Sequence, residues 1–273
     1  MDIRAVFDCV ALRDPAPDSF SLLIKGKRGN LLSMLSTPGG KELHPAVLLS
    51  HGYPGNEQNM DLMQFLRALG FAVLTYHYSG SWGSDGDFSF HNCLEDANTV
   101  LDYLLRHAAE YDIDPKRIYA VGHSMGGFVT THLLASRREL RGGVLIAPWD
   151  VARTYACAVA SEDCRRNLDE VLSCGYGWLK GISAERFDAE LFHDTDALRL
   201  DKLAPKLQNV PILCISGESD VVTPPELHQL PLRDAMADSE TFCHATLPGD
   251  HCFQAYRPLL WETVGDYLLG LEE

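Results

Sequence analysis

Short apolar runs alternate with amphipathic helical patterns along most of this chain, and that alternation restricts the fold more than any other feature. AVLLSHG (46–52) and FAVLTYHY (71–78) are apolar on both sides, as buried parallel strands are. The stretch between them, 59–70, has apolar residues at helical spacing and ends at Gly70, a residue suited to a helix C-cap. Strands that alternate with helices predict a parallel sheet with helices on both faces.

The same rhythm continues through the rest of the chain. Further strands are predicted at 117–121, 142–149, 210–220 and 240–251, and further helices at 93–110, 127–136 and about 253–270. The runs 20–26 and 30–36 flank a Lys-Arg-Gly turn and predict an antiparallel hairpin at one edge of the sheet.

Residues 150–205 depart from this rhythm, because they look helical and contain no strand of comparable strength. We interpret this region as a helical lid inserted after the strand that ends near Pro148. The sequence has no internal repeat, low-complexity segment or obvious linker. We therefore expect residues 1–273 to form a single domain that carries the lid.

The composition excludes several classes of partner. The chain is 46% hydrophobic, enough for a substantial core, and its net charge is −15. Because an acidic surface repels phosphate and anionic lipid, neither nucleic acid nor a membrane is an expected partner, and the charge serves solubility. The first 15 residues lack the apolar region of a secretory signal, and no run of about 20 apolar residues occurs. We expect a cytoplasmic protein.

The eight cysteines show no metal-binding pattern. No Cys-x-x-Cys motif occurs, no Cys/His set has zinc-ligand spacing, and no metal is expected. Without a signal peptide, reduced thiols are the expectation. Cys214 and Cys243 lie in strand-like runs and are predicted to be small core residues, whereas Cys252 is a site liable to oxidation.

The segment from Gly122 to Gly126, GHSMG, fits the pattern G-x-S-x-G. In that pattern the serine lies on a sharp strand-to-helix turn, and glycines two residues away on each side avoid a clash. The helix N-terminus favours the negative charge that develops during attack. The pattern alone would occur by accident in roughly one chain in ten. The predicted strand before Ser124 and helix after it favour a nucleophile over an ordinary helix N-cap.

A serine nucleophile needs a base, and the base needs an acid that orients it. Asp220 ends one predicted strand, and His251 lies between the last strand and the last helix. Both would emerge at the same edge of the sheet as Ser124, in the chain order Ser, Asp, His. We predict Asp220 as the acid and His251 as the base.

Neighbouring residues offer alternatives for the acid and the base. Glu218 and Ser219 lie close enough to Asp220 to compete with it, and Asp220 itself could cap a loop. Asp250 is not favoured, because adjacent residues rarely point at one another. The histidines interpreted as surface or helix residues are His44, His107, His132 and His228.

The oxyanion formed during acyl transfer needs two N–H donors. One is expected from Met125, directly after the nucleophile. The other is expected from Tyr53, in the turn HGYPGN (51–56) that follows an earlier strand. The alternative is that this turn only carries the chain out of its strand.

HGYPGN, GHSMGG, GESDVVTPPE and GDHCF together resemble the α/β-hydrolase superfamily over nearly the whole chain. The loop YHYSGSWGSDGDFS (76–89) resembles one in bacterial esterases and prolyl-oligopeptidase-type peptidases. The resemblance implies an eight-stranded, mostly parallel sheet, a triad of Ser124, Asp220 and His251, oxyanion donors Tyr53 and Met125, and no cofactor. This chain has no room for the propeller domain of large oligopeptidases, which weighs against peptides as substrates.

Three functions remain open, of which a carboxylesterase on small acyl or aryl esters is favoured. An aminopeptidase or amidase would need a carboxylate for the substrate amine, and Glu57 or Asp85 could serve, although both are typical of solvated loops. A scaffold on an inactive hydrolase fold is the third. A small ester is the expected ligand, and a homodimer is an open alternative for the oligomeric state.

The lid is expected to decide the substrate. Four of its side chains could line an apolar pocket or simply pack the lid onto the sheet: Tyr155, Trp178, Leu179 and Phe187. Trp82 could stack on a substrate ring or have a structural role in its loop.

Overall fold

The centre of the protein is an eight-stranded sheet, in a computed structural model that describes residues 3–10, 13–56 and 59–273. The strands are β1 Asp18–Gly26, β2 Gly29–Thr37, β3 His44–Ser50, β4 Ala72–Tyr76, β5 Ile113–His123, β6 Leu140–Ile146, β7 Ile212–Gly217 and β8 Phe242–Leu247. Their order in space is β1-β2-β4-β3-β5-β6-β7-β8. β2 pairs antiparallel with β1 and β4, and the remaining pairings are parallel, which confirms the predicted sheet and its edge hairpin.

The helices are α1 Ile3–Val10, α2 Met60–Leu69, α3 Phe90–His107, α4 Met125–Ser136, α5 Val151–Ala160, α6 Glu162–Ser173, α7 Ala184–Leu198, α8 Ala204–Leu207, α9 Gln229–Ala235 and α10 Arg257–Gly270. They cover both faces of the sheet. α2 and α10 pack in one apolar core, and α3 and α4 pack in the other. Gly70 adopts the left-handed conformation and caps α2, as predicted.

The central strands are apolar throughout because both of their faces are buried. In β3, Ala46 and Leu48 belong to one core, whereas Val47 and Leu49 belong to the other. All four side chains are at most 2% exposed. Burying one such leucine or valine contributes about 1.5–3 kcal/mol, so every position of this short strand favours the two-faced sheet.

The parallel strands place their carboxyl ends at one edge of the sheet. The segment 51–56 follows β3, Ser124 follows β5, the segment 218–228 follows β7 and the segment 248–253 follows β8. This edge of an open α/β sheet is where ligands bind, because loops from several strands converge there.

Residues 150–205 form the helices α5, α6 and α7 and the start of α8, with no strand among them. An isolated bridge joins Leu179 to Ser81, and the hydroxyl of Tyr53 donates to the Leu172 carbonyl at 2.6 Å. The segment is therefore attached to the loops at the carboxyl edge of the sheet. Its role as a lid and the assignment of residues 1–273 to one domain stay predictions.

Two predictions about cysteines are wrong. Cys157 and Cys164 form a disulfide, because the turn between α5 and α6 brings their Cα atoms to 5.7 Å. Cys214 is buried as predicted, but Cys243 is exposed, because β8 is the edge strand and lacks a neighbour on one side.

Two histidines are also buried more deeply than expected. His44 and His228 are only 3% and 2% exposed, since His44 begins the central strand β3 and His228 lies against the buried Asp150. Among the described residues, no helix combines the length and the apolar character needed to cross a membrane.

Candidate active site

Ser124 lies on a strained turn between β5 and α4. Its backbone angles are φ 57° and ψ −120°, a conformation that residues other than glycine rarely adopt. A Cβ at Gly122 would lie 2.0 Å from the Gly126 carbonyl oxygen, and a Cβ at Gly126 would lie 2.0 Å from the Ser50 carbonyl oxygen. Both glycines are therefore required by close backbone packing, as the sequence predicted.

Backbone hydrogen bonds hold this turn in place. The Ser124 N–H donates to the Ile146 carbonyl at 2.9 Å, and the Ser124 carbonyl accepts from the Gly127 and Trp149 N–H groups at 2.9 and 3.0 Å. The turn is thus fixed to the end of β6 and to the first turn of α4. This fixation presents the hydroxyl at the amino end of a helix, where partial positive charge accumulates.

Asp220 and His251 meet at the same edge. Nδ1 of His251 donates to Oδ2 of Asp220 at 2.8 Å, and Oδ1 of Asp220 accepts from the Val222 and Thr223 N–H groups at 2.9 and 2.8 Å. Burial raises the pKa of Asp220, but the hydrogen bonds from His251 and Thr223 outweigh burial and hold that pKa below its ordinary value. The carboxylate is therefore ionised and points at the imidazole.

Ser124 and His251 border the same cavity, with a volume of about 970 Å³. Among the hydrogen bonds of the described residues, none joins the Ser124 hydroxyl to the imidazole; His251 Nδ1 instead faces Asp220 and Thr223. Such contacts are often long until a substrate is bound. The geometry brings the acid and the base into direct contact and brings the serine to the same cavity wall.

Thr223 is a site residue that the sequence reasoning missed. Its hydroxyl donates to Oδ2 of Asp220 at 2.7 Å and lies 3.1 Å from Nδ1 of His251. The side chain of Gln229 in turn donates to the Thr223 carbonyl at 3.3 Å. The sequence signal is an aspartate followed three residues later by a threonine, a pattern typical of a turn in which the aspartate side chain accepts hydrogen bonds from the residues after it.

His123, the residue before Ser124, contacts the backbone of the predicted base, His251. Its Nε2 donates to the backbone carbonyl of His251 at 2.8 Å, and the two ring centroids lie 4.8 Å apart. Burial, with the nearby His251, lowers the pKa of His123 to about 3, so this imidazole is neutral. The variable position inside the G-x-S-x-G motif therefore fixes the loop that carries His251.

The turn after β3 lies directly beside Ser124. A Cβ at Gly52 would lie 3.2 Å from Cβ and 3.7 Å from Oγ of Ser124. Tyr53 follows Gly52 and borders the cavity, and Met125 is the first residue of α4. The role of Tyr53 and Met125 as N–H donors to an oxyanion stays a prediction.

The cavity walls are largely apolar and partly formed by the segment 150–205. Trp178 borders the cavity and stacks on Trp82, with ring centroids 5.4 Å apart and an angle of 18° between the planes. Tyr155, Leu179 and Phe187 are at most 7% exposed and do not border it, so they pack the segment onto the sheet. Both halves of the cystine Cys157–Cys164 also face this cavity.

Of the two carboxylates considered for amine binding, Asp85 is an exposed loop residue, as the favoured interpretation predicted. Asp85 does not border the cavity, and its Oδ2 accepts the Asn30 N–H at 2.8 Å in a loop contact. Glu57 lies outside the described residues. Glu170, which the sequence reasoning did not consider, does border the cavity. Over the described ranges, no group of three or more histidine, cysteine, aspartate or glutamate residues could hold a metal ion.

The sequence is similar to that of several curated proteins. Lysophosphatidylserine lipase ABHD12 of Danio rerio is 28% identical over 209 residues, which are 72% of this chain and 49% of the relative. The chain spans about half to two-thirds of the length of the first curated relatives it matches.

Solved structures show the same fold. The Pyrococcus furiosus esterase Pf2001 superposes with a TM-score of 0.68 at 16% identity, covering 93% of this chain and 92% of that one. Puromycin hydrolase superposes with a TM-score of 0.69 at 21% identity, covering 94% of this chain and 39% of that one. The family model described as "Alpha/beta hydrolase family" matches residues 47–261. This chain belongs to the alpha/beta hydrolase family.

Proposed function

We propose that the protein is a serine hydrolase that cleaves carboxylic esters through an acyl-enzyme. Ser124 is the nucleophile, His251 the general base and Asp220 the residue that orients the imidazole. The observation that supports this proposal most is the 2.8 Å contact between Nδ1 of His251 and Oδ2 of Asp220, beside a cavity that Ser124 also borders. The names of the lipase and esterase relatives agree with ester hydrolysis.

In the proposed mechanism, Nε2 of His251 takes the proton from Ser124 as Oγ attacks the ester carbonyl. Asp220 holds the proton on Nδ1 and stabilises the imidazolium. The N–H groups of Tyr53 and Met125 donate to the oxyanion. The alcohol leaves with the proton from His251, and a water molecule then attacks the acyl-enzyme in the same way. The carboxylic acid then leaves, and Ser124 recovers its proton from His251, which regenerates the free enzyme.

The test is the variant Ser124→Ala assayed with p-nitrophenyl butyrate. We expect kcat to fall at least about 10³-fold, because removing the nucleophile of such a triad removes the covalent route. Ser136→Ala, an exposed serine at the other end of the same helix, is the matched control and should retain full activity. Undiminished turnover in a folded Ser124→Ala variant would contradict the proposal.

The substrate class follows from the cavity. Its volume of about 970 Å³ and its aromatic wall suit an ester with a small acyl or aryl group. We propose such an ester as the ligand, with neither nucleic acid nor a membrane as partner, on the basis of the net charge of −15. We also propose a cytoplasmic location.

An amidase or aminopeptidase is the second candidate, because Glu170 borders the cavity and could receive a substrate amine. Measuring kcat/KM for p-nitrophenyl butyrate and for alanine p-nitroanilide separates the two functions. We expect the ester to be preferred by at least about 10³-fold. Preference for the anilide, and its loss in Glu170→Gln, would replace the esterase proposal by the amidase.

A further inference from the structure

His228 is a buried histidine in the wall of the cavity, and the proposed mechanism does not use it. It ends the loop that begins at Asp220 and lies just before α9. The residue is only 2% exposed, yet it borders the cavity together with Ser124 and His251. Asp220 and His251 are both close enough to influence its pKa.

The tautomer of His228 follows from the one hydrogen bond that its ring makes among the described residues. The backbone N–H of Asp150 donates to Nδ1 of His228 at 3.2 Å, so Nδ1 is the acceptor. A neutral ring that accepts at Nδ1 carries its proton on Nε2. Burial lowers the pKa of His228 to about 3, so the ring stays neutral at physiological pH.

The Nε2–H group is left without a partner in the described part of the chain. Its only side-chain hydrogen bond there is the one to the Asp150 N–H. Nε2 of His51 and Nδ1 of His123 are fully buried and have no hydrogen-bond partner among the described residues, but Nε2 of His228 is not among such atoms. Its open surface must therefore face the cavity that the residue borders.

We propose that His228 is a specificity residue that donates its Nε2–H to a second oxygen of the substrate, apart from the ester that is cleaved. The inference rests on the proposed esterase function and narrows its substrate class. A neutral donor in a largely apolar wall selects an acyl or alcohol group that carries a carbonyl, ether or hydroxyl oxygen. When an ester of a plain hydrocarbon chain binds, the Nε2–H donor of His228 stays unpaired.

Substrate pairs of nearly equal size test this proposal. The acyl pair is p-nitrophenyl 4-oxopentanoate and p-nitrophenyl pentanoate, and the alcohol pair is 2-methoxyethyl butyrate and butyl butyrate. We expect the wild-type enzyme to prefer the oxygen-bearing member of at least one pair by about tenfold in kcat/KM, because one hydrogen bond of good geometry contributes about that factor.

Two variants separate recognition from structure. In His228→Asn, the amide oxygen can still accept from the Asp150 N–H, but no donor reaches the position of Nε2. We expect this variant to lose the preference, because its kcat/KM falls by more for the oxygen-bearing ester than for the hydrocarbon ester. In His228→Gln, the longer amide restores a donor near that position, and we expect part of the preference to return.

The outcomes distinguish this inference from the function on which it rests. Equal efficiency of the wild type on both members of both pairs contradicts the role of His228 alone. An equal loss on both members of a pair in His228→Asn also contradicts it, because that loss indicates a structural role. Hydrolysis of none of the four esters by the wild type contradicts the esterase proposal as well.

Discussion

Replacing Thr223 with valine removes one hydroxyl from the centre of the site and keeps the side-chain volume. That hydroxyl donates to Oδ2 of Asp220 at 2.7 Å, the same oxygen that accepts from His251 at 2.8 Å. Oδ1 keeps its two backbone donors in the variant. The carboxylate therefore stays bound in its turn, but its contact with the imidazole becomes less restrained.

The magnitude follows from the type of hydrogen bond that is lost. A hydrogen bond to a charged group contributes about 1.5–3 kcal/mol, which corresponds to roughly 10- to 150-fold in a rate or binding constant. The hydroxyl is also one of the groups that hold the pKa of Asp220 below its ordinary value, so that pKa should rise. Because the bond orients the base and does not touch the ester, we expect kcat to fall about 10- to 100-fold with KM nearly unchanged.

The assay is steady-state hydrolysis of p-nitrophenyl butyrate by the wild type, Thr223→Val and a control. Thr75→Val is a matched control, because Thr75 is a buried threonine on β4 whose hydroxyl donates to the Met34 carbonyl at 3.3 Å. We expect the control to change kcat less than twofold. A folded Thr223→Val with the wild-type kcat would refute the role of this hydroxyl in positioning Asp220 and His251.

Two further predictions concern stability. A Cβ in Gly126→Ala would lie 2.0 Å from the Ser50 carbonyl oxygen, so we expect the free energy of unfolding in urea to fall by about 3 kcal/mol. In the control Gly270→Ala, the new Cβ meets no neighbouring atom within 4 Å, and we expect the free energy of unfolding to change little. Equal stability of both variants would be inconsistent with a close-packed turn. The histidines whose pKa burial lowers to about 3 are His51, His123 and His228. The unfolded chain, with histidine pKa values near 6.5, binds more protons than the folded chain between pH 3 and 6.5, so stability is present above this window and is lost as pH falls. We expect each histidine to cost about 2 kcal/mol of unfolding free energy at pH 5 relative to pH 7.5, and a flat urea-unfolding profile between these pH values would contradict the buried neutral rings.

The elements that the sequence predicted are those that depend on local pattern and on sheet geometry. β3 and β5 are two-faced apolar runs, and the strained turn at Ser124 needs glycine on both sides, so these features are visible in the residues themselves. Asp220 and His251 could be placed together because parallel strands share a carboxyl edge.

The features that the sequence did not predict depend on contacts between distant residues. The tautomer of His228 depends on the Asp150 N–H, 78 residues away, and no local pattern shows that contact. The disulfide between Cys157 and Cys164 depends on how the turn between α5 and α6 brings the two Cα atoms to 5.7 Å. The exposure of Cys243 depends on β8 being the last strand of the sheet, which periodicity does not reveal.

Covalent labelling of the nucleophile tests the central proposal most directly. The protein would be incubated with a fluorophosphonate probe, digested and analysed by tandem mass spectrometry, alongside His251→Ala. We expect one adduct per chain, located on Ser124, and a labelling rate at least about 100-fold lower in His251→Ala, because the serine needs its base to attack. Labelling of a different residue, no labelling, or an unchanged rate without His251 would contradict the account.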